Sequence, residues 1–507
     1  MSFKCGFAAA LAAALVSGCA SFGAESLGAD PYALAPIAAQ LTRADAVGDC
    51  ARRFRDLDAR IDSAGARDAQ DVRVPGYPYL RVDRLLEHLA QRQRDGDAAA
   101  ERAWLSTWLE LAAARDASAR TVESANASQS LDTALDACRE RLHADARSIA
   151  DAPSAQSLAE VPDRYSTALR ALGLYPLTRL GFAAGIRGWH RETLEMFATP
   201  VNKLPERGPR MIYAPAQDAP ADVPTGWVAP AQAAALGLPA LSAEDAIRLL
   251  QQNAPSLAVE TASDDDRLGQ LVWATPTQIG VDTRRPAAYA RIAYTMLGAR
   301  VHVQLIYTFW FPARPAGGSF DLLAGPLDGL IWRVTLDGDA RRPLLYDTIH
   351  PCGCYHLFFP ADKLRARTAP PPEQGRFDEG LFVPQVAPPL AAGQRLQILL
   401  ESRTHYVQRL LAVVGTAAAS AQTYTLLDEN ALRALPHPAG GTRSAYGEDG
   451  LIAGSERTER FFFWPMGIAS AGQMRQWGHH ATAFVGRRHF DDPRLLERYF
   501  ESPPGAD

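Results

Sequence analysis

The sequence predicts an α+β fold: an α-helical N-terminal domain followed by a largely antiparallel, β-rich C-terminal domain. Three observations carry this expectation. From residue 30 to about 198, Leu, Ala, Arg, Glu and Asp dominate, and apolar residues recur at helical spacing, as in Arg84-Leu85-Leu86-Glu87-His88-Leu89 and Trp104-Leu105-Ser106-Thr107-Trp108-Leu109. From about residue 270 the period changes to two. Three pairs of such runs then flank short turn segments, which is the signature of successive hairpins. At 507 residues, the chain is long enough for two to four domains of roughly 100–200 residues each.

In chain order, residues 1–18 read as a leader. Lys4 supplies a positive start, and Gly6 to Val16 form an apolar stretch of the length expected for a secretory signal. It is too short to span a membrane, which takes about 20 apolar residues. The stretch ends Leu15-Val16-Ser17-Gly18-Cys19. An ordinary secretory signal with an incidental cysteine is one reading. More specifically, the segment resembles the lipobox of bacterial lipoproteins, in which an aliphatic residue and two small residues precede a cysteine. The resemblance implies cleavage before Cys19, acylation of Cys19, and a membrane partner held through several acyl chains. Ala20, where such proteins carry Asp when retained at the inner membrane, implies the outer membrane, with the body facing the periplasm.

Residues 19–198 form the expected helical domain. Val74-Pro75-Gly76-Tyr77-Pro78-Tyr79 reads as a turn or loop between helices. Leu174 to Phe197 is apolar and dotted with arginine. It fits either a membrane surface or a core helix, and we expect the core helix. Residues 199–268 form a proline-rich connector with one short helix at Ala243–Asn253, capped by Ser242. Residues 269–507 form the β-rich domain with a mixed tail. Its hairpins are Tyr289–Leu297 with Val301–Phe311, Leu330–Leu336 with Leu344–Ile349, and Leu396–Glu401 with His405–Val414. In the Val301–Phe311 strand, Val301, Val303, Leu305, Tyr307, Phe309 and Phe311 share one face. A short helix is expected near Pro493–Phe500.

Charge sets limits on partners. The net charge is −5, so nothing favours nucleic acid as a partner. Only three of the 52 cationic residues are lysine (Lys4, Lys203, Lys363). Six cysteines occur. With Cys5 in the leader and Cys19 acylated, four remain for an oxidising compartment. The simplest pairing is a Cys50–Cys138 disulfide within the helical region, leaving Cys352 and Cys354 as a local unit.

Chemistry concentrates in Asp347-Thr348-Ile349-His350-Pro351-Cys352-Gly353-Cys354-Tyr355-His356. His350, Cys352, Cys354 and His356 are the ligand types of a zinc site, and thiolates also suit copper. On a straight strand the four would span about 20 Å, too far for one ion. A turn at Pro351 and Gly353, with a distant histidine such as His405, His302, His479 or His480, is the workable arrangement. A strained Cys352–Cys354 disulfide and a compact structural loop are the alternatives. No Walker A, G-x-S-x-G or H-E-x-x-H pattern occurs.

Residues 289–490 resemble uncharacterised proteobacterial lipoproteins, through Trp310-Phe311-Pro312, Leu327-Asp328-Gly329-Leu330-Ile331-Trp332-Arg333-Val334, His350 to His356, and Met474-Arg475-Gln476-Trp477-Gly478. This resemblance implies a lipoprotein identity and one unit through the C-terminal half, with no catalytic residue attached. The expected role is binding, assembly or envelope maintenance, with other envelope proteins as partners. The alternative is a zinc- or copper-dependent enzyme centred on His350, Cys352, Cys354, His356 and His405, with Asp347 orienting a ligand or serving as base.

Overall fold

A computed structural model describes residues 30–91, 98–130, 134–148, 152–157, 159–216, 231–340, 342–362, 364–368, 374–414 and 421–501. The leader and Cys19 lie outside the described residues. The helices used below are α1 (Ala46–Ser63), α2 (Arg84–Gln91), α3 (Ala98–Asn126), α4 (Leu135–Ser148), α5 (Tyr175–Ala198) and α6 (Ala243–Asn253). The α1 helix starts where the Asp45 carboxylate accepts from the Val47 and Gly48 amides, satisfying donors that the first turn leaves free. The α6 helix has the expected bounds, and the Ser242 hydroxyl caps Asp245 N.

The Val74–Tyr79 segment is not a plain loop. It turns an antiparallel hairpin of β1 (Val72–Val74) and β2 (Tyr77–Val82). Gly76 there has φ of +79° and lies against the Ala35 carbonyl, where a Cβ would not fit.

The main sheet has ten strands. They are β3 (Arg210–Pro215), β4 (Ser256–Glu260), β7 (Ala287–Leu297), β8 (Arg300–Arg314), β9 (Gly325–Leu336), β10 (Pro343–Ile349), β11 (Leu357–Pro360), β12 (Gln394–Leu400), β13 (Val407–Val414) and β14 (Gln422–Asp428). A separate hairpin comprises β5 (Gln270–Thr275) and β6 (Gln278–Asp282). The order across the sheet is β11-β10-β9-β8-β7-β14-β3-β4-β12-β13. All three expected hairpins are present as antiparallel pairs: β7/β8, β9/β10 and β12/β13.

The sheet as a whole is mixed. The β14 strand runs parallel to both β7 and β3, and β12 runs parallel to β4. Sequence periodicity identifies hairpins but not the partners of strands joined by long connections, and those partners are where the parallel pairs arise.

The expected connector, residues 199–268, contributes two strands, β3 and β4, to the main sheet. One buried apolar cluster runs from Tyr32 to Leu426 and includes Phe54, Trp108, Leu250 and the inward face of β8, Val301 to Phe311 in alternation. The tail returns to the helical region. Arg433 forms a forked pair with Asp68 at 3.0 and 2.6 Å, and the Tyr165 hydroxyl donates to the Ala483 carbonyl.

Arginine has a structural use here that composition conceals. Arg81 on β2 is fully buried and donates to Asp116 and Glu123 on α3 at 3.2 and 2.7 Å. Arg139 on α4 donates to Asp116 at 3.0 Å, and Arg73 pairs with Asp58 of α1 at 3.0 Å. The planar, always-charged guanidinium suits such forked buried pairs better than an ammonium.

The two edge strands are joined by one segment. Gln385 uses its amide on both backbone groups of Leu410 in β13, donating to the carbonyl at 2.9 Å and accepting from the N–H at 3.0 Å. On the other side, Phe358 N of β11 donates to Phe382 O, and Ala387 N donates to Pro360 O. Residues 382–387 thus strap β11 to β13 and pair backbone groups that an open edge would leave exposed.

Cys50 of α1 and Cys138 of α4 form the expected disulfide, with Cα atoms 5.0 Å apart. It closes a separation of 88 residues, for which chain entropy gives about 4.6 kcal/mol. A Cys50→Ser, Cys138→Ser double variant should melt clearly below the parent protein in a thermal scan. An unchanged melting temperature would mean that the link adds nothing to the helical layer.

Candidate functional site

The metal expectation fails on geometry. Residues 350–354 do form the expected tight turn, with Gly353 N donating to His350 O at 2.7 Å and His350 N to Cys354 O at 3.0 Å. Gly353 has φ of +96°, and the Ala481 carbonyl leaves no room for a Cβ. But the turn sends its two histidines to different carboxylates, His350 to Asp328 and His356 to Asp347. His356 Nε2 lies 2.8 Å from Asp347 Oδ2, and its ring stacks on Phe358. Asp347 is held by the forked guanidinium of Arg333 at 2.8 and 2.5 Å, so it is the anchor of a buried ion pair. His302 turns to the Leu336 carbonyl, and His479 to the Ala69 carbonyl.

Cys352 and Cys354 are free thiols, hydrogen-bonded to each other. That bond lowers the Cys352 thiol and raises Cys354, whose burial pushes it further up. Among the described residues, no group of three or more His, Cys, Asp or Glu side chains could hold a metal ion. His350, Cys352, Cys354, His356 and His405 therefore do not form the expected zinc or copper centre, and the local disulfide is not formed either.

Two of the expected histidines do meet, through a carboxylate. Asp328 at the start of β9 is fully buried. It accepts from His350 Nδ1 at 3.2 Å through Oδ1 and from His405 Nδ1 at 2.9 Å through Oδ2. Arg457 Nη2, from the tail, adds a contact to Oδ1 at 3.3 Å. These cations and donors hold Asp328 well below the ordinary carboxylate range, against the cost of burial. On its far side His405 Nε2 lies 3.4 Å from Asp266 Oδ1. Its ring stacks on Phe311 at 4.0 Å. Burial disfavours its charged form, but the two carboxylates together outweigh burial and raise it above the usual imidazole value. His350 is shifted the other way, lowered by burial more than the carboxylate of Asp328 restores. A chain Asp266–His405–Asp328–His350 results, in which two imidazoles on one carboxylate are shifted in opposite directions.

Backbone strain concentrates here. Among the described residues eight non-glycine residues have positive φ, and four of them surround this network: Leu327 (57°), Tyr355 (64°), Arg403 (67°) and His405 (50°). Each such conformation costs on the order of 1–3 kcal/mol and persists only where its surroundings enforce it. Buried carboxylates do the enforcing. Asp266 accepts from Arg403 N at 2.5 Å, and Glu260 accepts from Ser402 N and Oγ at 3.2 and 3.1 Å. At Gly329, a Cβ would meet the Phe309 carbonyl at 2.3 Å, so the residue after Asp328 has no space for a side chain.

His350 faces a cavity of about 140 Å³ between α5 and the strapped edges of the sheet. Trp189, Glu192, Thr193 and Met196 line it from α5, and Leu330, Thr348, Tyr355, Leu357, Tyr406 and Val407 from the sheet side. Tyr355 and Tyr406 lie edge to face at 4.6 Å, and Arg314 donates to the Tyr406 hydroxyl at 3.2 Å. Sequence reasoning placed His350 and His405 but missed Asp328, Asp266, Arg457 and the aromatic lining. A single acid inside the apolar run from Leu327 to Val334 is the signal that was available.

Comparison with protein families, with curated proteins and with solved structures returns no match for this chain.

The network makes a pH prediction with opposite signs. His405, raised, contributes stability that is complete below about pH 6.5, its ordinary value, and is lost as pH climbs through its raised value. His350, lowered, contributes stability that is complete above about pH 6.5 and is lost as pH falls through its lowered value. In side-chain nitrogen NMR at pH 7, His405 should be the imidazolium and His350 the neutral ring, and Asp266→Asn should move His405 toward neutral. Two neutral rings, or a His350 that titrates above His405, would contradict the assignment.

Proposed function

We propose that this protein is a lipid-anchored component of the bacterial envelope that binds a small aromatic or apolar ligand beside His350. The cavity carries the reading. Its volume of about 140 Å³ is close to that of an engineered cavity that admits benzene. Its walls combine Trp189, Tyr355 and Tyr406 with a few polar groups, His350, Glu192, Thr193 and Thr348, which is the usual composition of a small-molecule site. The concentration of strained residues around it supports a functional rather than a purely structural use.

Anchoring rests on the Leu15-Val16-Ser17-Gly18-Cys19 segment. The outer-membrane, periplasm-facing location rests on the residue after Cys19. Among the described residues no helix is long and apolar enough to cross a membrane, so attachment would depend on the acyl chains. The mass of the N-terminal peptide tests this directly. Acyl chains on a new N-terminus at Cys19 would support the anchor, and an unmodified Cys19 would remove it.

A second reading is acid–base chemistry in the same cavity. It is favoured by the pairing of a neutral His350 with the Asp328 carboxylate, the arrangement in which a carboxylate orients a histidine base and stabilises its protonated form.

Indole- and phenol-sized fragments should bind with saturation transfer from the protein, and Met196→Trp, which fills the cavity from α5, should weaken them at least tenfold. Fragments that bind the parent and the Met196→Trp protein alike would place the ligand elsewhere. Consumption of a bound fragment by the parent but not by His350→Gln would favour the acid–base reading over simple binding.

A further inference from the structure

The α5 helix was expected to pack as a core helix, and only part of it does. Ala183, Thr193 and Phe197 are buried, but Leu177, Leu180, Ala184, Arg187 and Arg191, at alternating spacings of three and four, all face outward. This is one face of a helix, and its first half is apolar. Leu177 is 67% exposed and Leu180 44%. Leu172, which ends the short helix Thr167–Leu172, and Leu174, in the turn before α5, are also exposed. Beside them, Phe463 packs edge to face on Phe182 at 5.3 Å, which brings its neighbours Phe461 and Phe462 next to α5, 52% and 55% exposed.

Charge is divided along the helix. Residues 172–191 contain Arg179, Arg187 and Arg191 and no Asp or Glu, and the exposed acids Glu192 and Glu195 follow in its second half. Residues 460–465 add Arg460 and no acid. The cationic first part of the helix contrasts with the net charge of −5 of the whole chain. Leucine and phenylalanine flanked by arginine is the composition that lies in a membrane interface, with rings and aliphatic chains among the acyl groups and guanidinium groups at the headgroups.

We propose that this face, formed by the first half of α5 with Phe461 and Phe462, rests on a bilayer surface containing anionic lipid. The inference builds on the anchor at Cys19. Ten residues lie between Cys19 and Asp30, the first described residue. At roughly 3.3–3.6 Å per residue they reach no more than about 40 Å. A chain of this size has a radius of gyration of about 23 Å, so the tether keeps the body within about its own diameter of the membrane. Confinement of that order raises the local concentration of lipid enough for a weak interfacial contact to be occupied. The cavity is lined by the second half of the same helix, so docking would also set how its mouth meets the membrane.

The test uses the full acylated protein in vesicles whose phospholipids carry brominated acyl chains. A fluorophore is placed through Leu177→Cys, and in a second sample through Thr277→Cys in the β5–β6 turn, with label positions checked by peptide mass. Strong quenching at 177, little at 277, and loss of most of the quenching at 177 when the anionic lipid is omitted are the expected results. Adding Phe461→Ser and Phe462→Ser should reduce quenching at 177 at least twofold. Equal, weak quenching at both positions in acylated protein would overturn the docking face while leaving the anchor intact. Quenching at 177 by vesicles added to a chain found unacylated would support the face and remove the anchor. A label at 177 that enters an apolar environment without vesicles, in step with protein concentration, would make the face an interface between copies and overturn the proposal.

Discussion

The Asp328 carboxylate is the interaction on which the arrangement around the cavity depends. It is buried, ionised, and held by groups from three other parts of the chain: His350 after β10, His405 before β13, and Arg457 in the tail. A lone buried carboxylate costs several kcal/mol. Here three donors offset that cost, which couples the packing of these segments to the neutralisation of Asp328. The strained backbone of Arg403 and His405 accompanies these contacts, with His405 reaching both Asp328 and Asp266 from a left-handed conformation.

The same coupling explains why a sheet with two distant edges makes one site. The β11 and β13 strands are the two ends of the ten-strand order. Residues 382–387 hydrogen-bond to both, and α5 closes over the gap. Arg409 on β13 donates to the carbonyls of Met196 and Thr199 at 3.2 and 2.6 Å, while Phe197 packs on Phe359 of β11. The cavity is the space left beneath this cover, lined from α5, from β9 to β11 and from the start of β13.

Much of the local structure was legible in the sequence. Alternation identified the β7/β8, β9/β10 and β12/β13 hairpins, and the serine cap located α6 to the residue. Cys50 and Cys138 were paired by simple arithmetic. What was not legible shares one cause: it depends on residues far apart in sequence. The insertion of β14 between β7 and β3, the burial of arginines such as Arg81 and Arg333, and the meeting of His350 with His405 are all set by tertiary packing. Residue type alone made His350 to His356 look like a metal site. The turn at Gly353 decided otherwise, because it sends His350 to Asp328 and His356 to Asp347. Apolar content likewise suggested a buried α5, whereas its Leu177 and Leu180 face outward.

The central claim is that one buried carboxylate makes these segments a single cooperative unit beside the cavity. Amide hydrogen exchange on the parent and on Asp328→Asn tests it most directly. Segments 327–330, 350–356 and 401–407 should lose protection together and by the same factor in the variant, while α1 and α4 stay as protected as in the parent. Loss confined to 327–330, with 401–407 unchanged, would contradict the account and make each loop stable on its own contacts.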